Sequence, residues 1–260
     1  MAREPIRDQY PELAIVLENL ALVAHPIDER IRLLDVARAE IEGRLGRDHP
    51  NAINARVNMA MVVPDPARAL ALLREACGMY RALHPHLEAR IGICSFELGW
   101  LAYEAGDIAE SRAAMAAIAP ASEYEHAIGR PYLALLDARP RDALAAASGI
   151  ADRYIASDDA WTRFRGADAL LVMAASHRRL GSTDAAIATL RRALDVLRSV
   201  AVSFESGTFY QRRVAQARAA LARLLAATQR VEAREHAEAA LAWYRSAGGY
   251  QTIVNELTRL

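Results

Sequence analysis

Seven histidines, two cysteines and several close carboxylate pairs are the residues of this chain whose types could carry chemistry. His84 and His86 flank Pro85, with Glu88 two residues further on, and such a set could begin a zinc site. His25, His49 and His84 each stand directly before a proline, however, so their recurrence reads as linker structure and no metal is expected. His126, His177 and His236 occur singly in helical stretches, none beside a serine or cysteine in a recognisable nucleophile setting. Asp158 with Asp159, and Glu123 with Glu125, could share acid and base roles. Both pairs sit where helices begin, and the helix dipole accounts for negative charge there. Asp168 is expected on a solvated helix face. Cys77 and Cys94 lie in apolar helical stretches and are too few for a disulfide framework or a thiolate metal site, so buried free thiols are expected.

What is missing narrows the chemistry further. All 32 basic residues are arginine. Without lysine there can be no phosphate-loop lysine, no kinase strand lysine and no Schiff base to pyridoxal. No Gly-x-Gly-x-x-Gly loop occurs either. The expectation is a protein that is not an enzyme and carries no cofactor.

The elements that would position these residues are helices. Apolar residues make up 53% of 260 and aromatics 6%, with alanine supplying much of the apolar share, a composition suited to closely packed helices. No sustained strand alternation and no Asn-Gly or Asp-Gly hairpin signal appears. The 32 basic and 32 acidic residues balance, which argues against a nucleic-acid partner. No apolar run is long enough for a membrane span and no leader is visible, so a cytoplasmic protein is expected.

Helical stretches come in pairs separated by short breaks. Pairs are expected at 10–24 with 27–44, 50–63 with 66–83, 85–105 with 107–118, 122–138 with 141–155, 159–180 with 183–200, and 208–228 with 231–246. These give one domain over 1–260, with repeats at about 10–46, 50–83, 85–120, 122–156, 158–200 and 207–247, and a cap at 250–260. A helix pair cannot bury its apolar face alone, so repeated pairs must stack. A small residue early in each second helix lets it approach the first, and a residue four positions on fills the remaining space. Ala69 with Leu73, Ser111 with Met115, Ala186 with Leu190 and Ala233 with Ala237 follow this rule.

Three stretches carry a family resemblance. Leu98-Gly99, Gly106-Asp107-Ile108 and Ser111 resemble the tetratricopeptide-repeat consensus, with serine in place of the usual alanine. Leu45-Gly46-Arg47-Asp48-His49-Pro50 followed by Asn58-Met59-Ala60 is similar to the kinesin-light-chain variety, and Glu18-Asn19-Leu20-Ala21 is similar to the same helix one repeat earlier. The resemblance implies an all-α, right-handed solenoid of about six antiparallel helix pairs, whose first helices line a concave groove. Carried over residue by residue, it places Asn19, Asn58, Glu97, Trp100, Tyr103, Glu104, Arg178, Arg179, Gln216 and Arg223 in that groove. Asparagine would hydrogen-bond a peptide backbone, the arginines would meet carboxylate or phosphate, and Trp100 and Tyr103 would serve as anchors or as packing between repeats. The implied role is a non-catalytic scaffold for a protein or peptide segment, acidic or phosphorylated. Two alternatives are the regulatory tail of a larger bacterial signalling protein and, from another class, a hydrolase or metal enzyme on a helical scaffold.

Overall fold

The computed structural model describes residues 27–120, 122–204 and 207–260. These contain thirteen helices and no strand. They are α1 (Ile27–Leu45), α2 (Pro50–Val62), α3 (Pro66–Leu83), α4 (Glu88–Glu104), α5 (Ile108–Ala116), α6 (Glu123–Leu136), α7 (Pro140–Ile155), α8 (Ala160–Arg179), α9 (Thr183–Ser199), α10 (Ala201–Phe204), α11 (Thr208–Leu225), α12 (Arg230–Ala247) and α13 (Gln251–Leu257). Every expected helix from 27 onward is present. The helix expected at 10–24, and with it Asn19, lies outside the described residues. The single turn α10 had no signal in the sequence.

Local chemistry explains the helix starts. Pro50 and Pro66 open α2 and α3 at a position whose N–H has no helical partner. The His49 ring accepts from the Asn51 amide at 3.2 Å, so the histidine before proline acts as a cap. Asp65, Asp107 and Asp159 cap α3, α5 and α8 through the amides of Arg68, Glu110 and Thr162. The turns inside the third, fourth and fifth pairs share one geometry. Asp107, Arg139 and Ser182 each donate backbone N–H to a carbonyl five residues back, at 2.8, 2.9 and 2.9 Å. The residue before each donor has positive φ: Gly106 at 87°, Ala138 at 58° and Gly181 at 77°. In the fourth pair an alanine occupies a left-handed position that elsewhere belongs to glycine, and this is why its turn is hard to see in the sequence.

Five residues after each of these turn positions comes the small residue at the crossing: Ser111, Ala143 and Ala186, none exposed. A Cβ on Gly99 would lie 2.9 Å from the Met115 methyl and 3.2 Å from the Ser111 carbonyl, so α4 and α5 touch almost backbone to backbone. Helices pack in sequence, α2 on α3, α4 on α5, α6 on α7, α8 on α9 and α11 on α12, with α13 against α12 and α11. The first helices also meet one another, α2 with α4, α4 with α6 and α6 with α8, and so form the inner row.

That row curls until its ends touch. Helix α11 packs against α9 and also against α2. The Thr208 hydroxyl donates to the Val62 carbonyl at 2.7 Å, and the Arg212 guanidinium reaches the Val63 carbonyl at 3.4 Å. A Cβ on Gly249 would lie 2.6 Å from the Pro66 ring.

The cysteines differ from expectation. Cys77 on α3 and Cys94 on α4 form a disulfide with Cα atoms 5.6 Å apart, and neither is exposed. Apolar surroundings suggested free thiols, but the two positions are equidistant from the turn that joins these antiparallel helices and therefore face each other.

Candidate functional site

Curling leaves a cavity of about 520 Å³ among α4, α6, α8 and α11, with Ile108 of α5, Leu190 of α9, Tyr244 of α12 and Ile253 and Glu256 of α13 completing its wall. Six of the ten expected groove residues line it: Trp100, Tyr103, Glu104, Arg178, Gln216 and Arg223. Spacing of three and four residues along α4 puts Trp100, Tyr103 and Glu104 on one face. Tyr132 on α6 stacks on Trp100 with ring centres 4.9 Å apart, and Tyr103 meets Tyr132 edge-on at 5.5 Å. The Trp100 indole N–H donates to the Gln216 side-chain oxygen at 3.0 Å, bridging α4 and α11.

The four other expected residues fall elsewhere. Glu97 lies one turn deeper on α4. Its carboxylate accepts from Arg165 at 3.1 Å and lies 3.7 Å from Arg213. Arg179 does not line the cavity, and its guanidinium donates to the carbonyl of Leu135 in the last turn of α6. Asn58 on α2 is half-buried and does not line the cavity. Asn19 lies outside the described residues.

Beneath the cavity sits a buried ionic cluster that spacing along single helices does not reveal. Arg165 lies between the rings of Phe96 and Trp161, 4.6 Å from each centre, and pairs with Asp168 at 2.9 Å and Glu125 at 3.7 Å. Arg213 pairs with Asp168 at 2.8 Å and lies 4.0 Å over the Trp100 ring. Asp168 is therefore wholly buried, not on a solvated face, because α4 and α11 close over the inner side of α8. Glu125 likewise does more than meet a helix dipole: it reaches inward to Arg165. The one available hint was charge at inward positions of otherwise apolar helices, and its partners lie far away along the chain.

The cluster sorts its carboxyls by environment. Burial pushes Glu97 up, but Arg165 and Arg213 outweigh this and hold it below the ordinary glutamate range. Glu104 goes the other way. Burial dominates, and Arg212, Arg213, Gln216 and Tyr244 only partly offset it, so its pKa is raised. The Tyr244 hydroxyl donates to Glu104 Oε1 at 3.2 Å, while Oε2 stands 3.9 Å from Arg212 Nε. Burial pushes Tyr132 well up as well, and its hydroxyl finds no hydrogen-bond partner among the described residues. At the mouth, Arg223 grips Glu256 through two bonds of 2.8 and 2.7 Å. Arg178 is exposed beside them and makes no hydrogen bond or ion pair among the described residues.

No protein-family model matches the chain. No curated protein matches it either. Among solved structures, the chain is similar to nearly identical TPR-like repeats from a protein of Podosopora anserina described as a kinesin light chain. One crystal structure, of a glutamine-to-methionine variant of that protein, shows 10% identity over 78% of this chain and 99% of the other, with a TM-score of 0.49. A second shows 15% identity over 91% and 95%, with a TM-score of 0.38. The architecture itself is read from this chain's own packing. Successive helix pairs, small residues at their crossings and first helices along the inner row make it a TPR-like helical-repeat array.

Proposed function

We propose that the protein is a non-catalytic binding module that takes a segment of a partner protein into the cavity on its inner face. A cavity of about 520 Å³ walled by Trp100, Tyr103, Tyr132 and Tyr244 is the observation that carries this reading. Its size falls within the range of ligand sites, and aromatic walls supply most of the contact energy in such places. An array of stacked helix pairs ordinarily serves to present one inner surface to other chains.

The mouth favours a segment with an acidic or phosphorylated residue. Arg178 is exposed there without a hydrogen bond or ion pair among the described residues and only adds to the field on Glu256, whereas Arg223 holds that carboxylate directly. The two adjacent arginines of α8 thus have separate tasks: Arg178 is available to a partner, and Arg179 ties α8 to the last turn of α6. Acidic peptides offered with and without phosphoserine test this. Arg178→Ala should weaken their binding about tenfold and flatten its salt dependence, with unchanged melting temperature. Arg179→Ala should lower the melting temperature. Undiminished peptide affinity in Arg178→Ala would remove the mouth from the site.

A further inference from the structure

The floor of the cavity has a chemistry of its own. At and beneath it, four carboxyl groups, Glu97, Glu104, Glu125 and Asp168, face three guanidinium groups, Arg165, Arg212 and Arg213, and of these seven only Glu104 lines the cavity. Arg165 and Arg213 serve Glu97, Glu125 and Asp168. Glu104 is left with Arg212 at 3.9 Å, too far for a hydrogen bond, and Glu104 Oε2 and Arg212 Nε both lack a hydrogen-bond partner among the described residues. The Glu104 side chain is only 4% exposed, and it lines the cavity. Tyr244 serves Oε1 alone, and a buried carboxylate oxygen in the state of Oε2 is costly unless a donor reaches it. Around it stand Tyr103, Tyr132 and Tyr244, whose ring faces attract cations, beside Trp100, whose own ring already carries Arg213 and stacks on Tyr132. The C-terminal ends of α4, α6, α8 and α11, where helix dipoles are negative, converge on the same space. Arg178 is exposed and Arg223 is committed to Glu256, and neither donates to Glu104.

From the unpartnered Glu104 oxygen, the aromatic wall and the carboxyl excess, we propose that the floor of the cavity is a site for an ammonium group carried on an apolar body. The ammonium would donate to Glu104 Oε2 and supply the fourth cation, and the apolar body would lie against Trp100 and Tyr132. The inference deepens the reading of the cavity as a ligand site and rests on it. The ammonium can come from a free amine or from the amino terminus of a bound segment.

Three probes share one body and differ in charge: 2-phenylethylammonium, 2-phenylethanol and phenylacetate. Calorimetric titration should show the ammonium binding about tenfold more tightly than the alcohol, and phenylacetate more weakly than both. Glu104→Gln should abolish the advantage of the ammonium, leave the alcohol within about twofold, and keep or raise the melting temperature because it removes a poorly compensated buried acid. A melting curve of that variant separates loss of binding from loss of fold. Equal binding of ammonium and alcohol, tighter binding of phenylacetate, absence of ammonium binding, or ammonium affinity unchanged in Glu104→Gln would each overturn the proposal. The tripeptide Phe-Ala-Ala, with its amino terminus free or acetylated, then assigns the source. Binding of the free form alone points to a chain terminus, and binding of 2-phenylethylammonium without either peptide points to a free amine. Acidic-peptide binding that depends on Arg178 while all three small probes fail would sink the floor site and leave the mouth intact.

Discussion

At the scale of single residues, the inner cluster makes opposite demands of its carboxyls. Glu97 has a folded-state pKa below its unfolded value, so it contributes stability that is fully present above the ordinary glutamate range and is lost as pH falls through the folded value. Glu104 has a raised pKa, so its ionisation opposes folding as pH climbs from the ordinary range through the raised value. Glu97→Gln should therefore destabilise the protein at neutral pH by about 3 kcal/mol, since it leaves Arg165 and Arg213 short of a buried partner. The deficit should shrink as pH falls into the carboxylate range. Urea melts at a series of pH values check this, and a deficit independent of pH would refute the assignment. Glu97 was visible in the sequence only as a polar residue on an inward face. Its partners Arg165 and Arg213 were not, because nothing local links residues 68 and 116 positions apart. The same holds for Trp100 and Gln216, both expected in the groove, whose hydrogen bond to each other joins two distant helices.

At the scale of helices, the repeat register was legible because steric rules are local. A small residue must stand where two helices cross, and Ser111 and Ala186 are fully buried there. Ala186→Leu should cost about 1–3 kcal/mol by overpacking, and Ala185→Leu, nearer the surface, should be close to neutral. Equal melting shifts for the two would show that the register is misplaced. The fourth pair was harder to delimit because its turn lacks glycine. Ala138 holds φ at 58° and is exposed, so Ala138→Gly should stabilise the protein by about 1 kcal/mol, readable as a higher melting temperature. A lower value would mean that the turn differs from its counterparts at Gly106 and Gly181. The disulfide between α3 and α4 was missed because composition does not reveal which helix faces touch. Cys77→Ser with Cys94→Ser should cost about 3 kcal/mol by freeing the unfolded chain, measured against the oxidised protein. In a reducing compartment the same loss would accompany reduction.

At the scale of the molecule, periodicity implies stacked helix pairs but not how far their row curls. The curl arises from summed small rotations and is held by contacts such as Thr208 with Val62, between residues 146 positions apart. Its consequence is geometric: the inner face holds a cavity walled by Trp100, Tyr103, Tyr132 and Tyr244, with Arg178, Arg223, Glu104 and Glu256 as its charged lining. No helix among the described residues is long and apolar enough to cross a membrane. The central claim is that ligands bind inside this cavity. Ala220 lines it from α11 and is partly exposed, so Ala220→Trp should fill it without disturbing the helix crossings. Peptides selected from a random display library on the unaltered protein can be titrated against both forms. The account predicts that Ala220→Trp loses about a hundredfold in affinity while its melting temperature holds, since the indole occupies the space the peptide needs. Equal affinity for the two proteins would contradict it and place the binding surface outside the cavity.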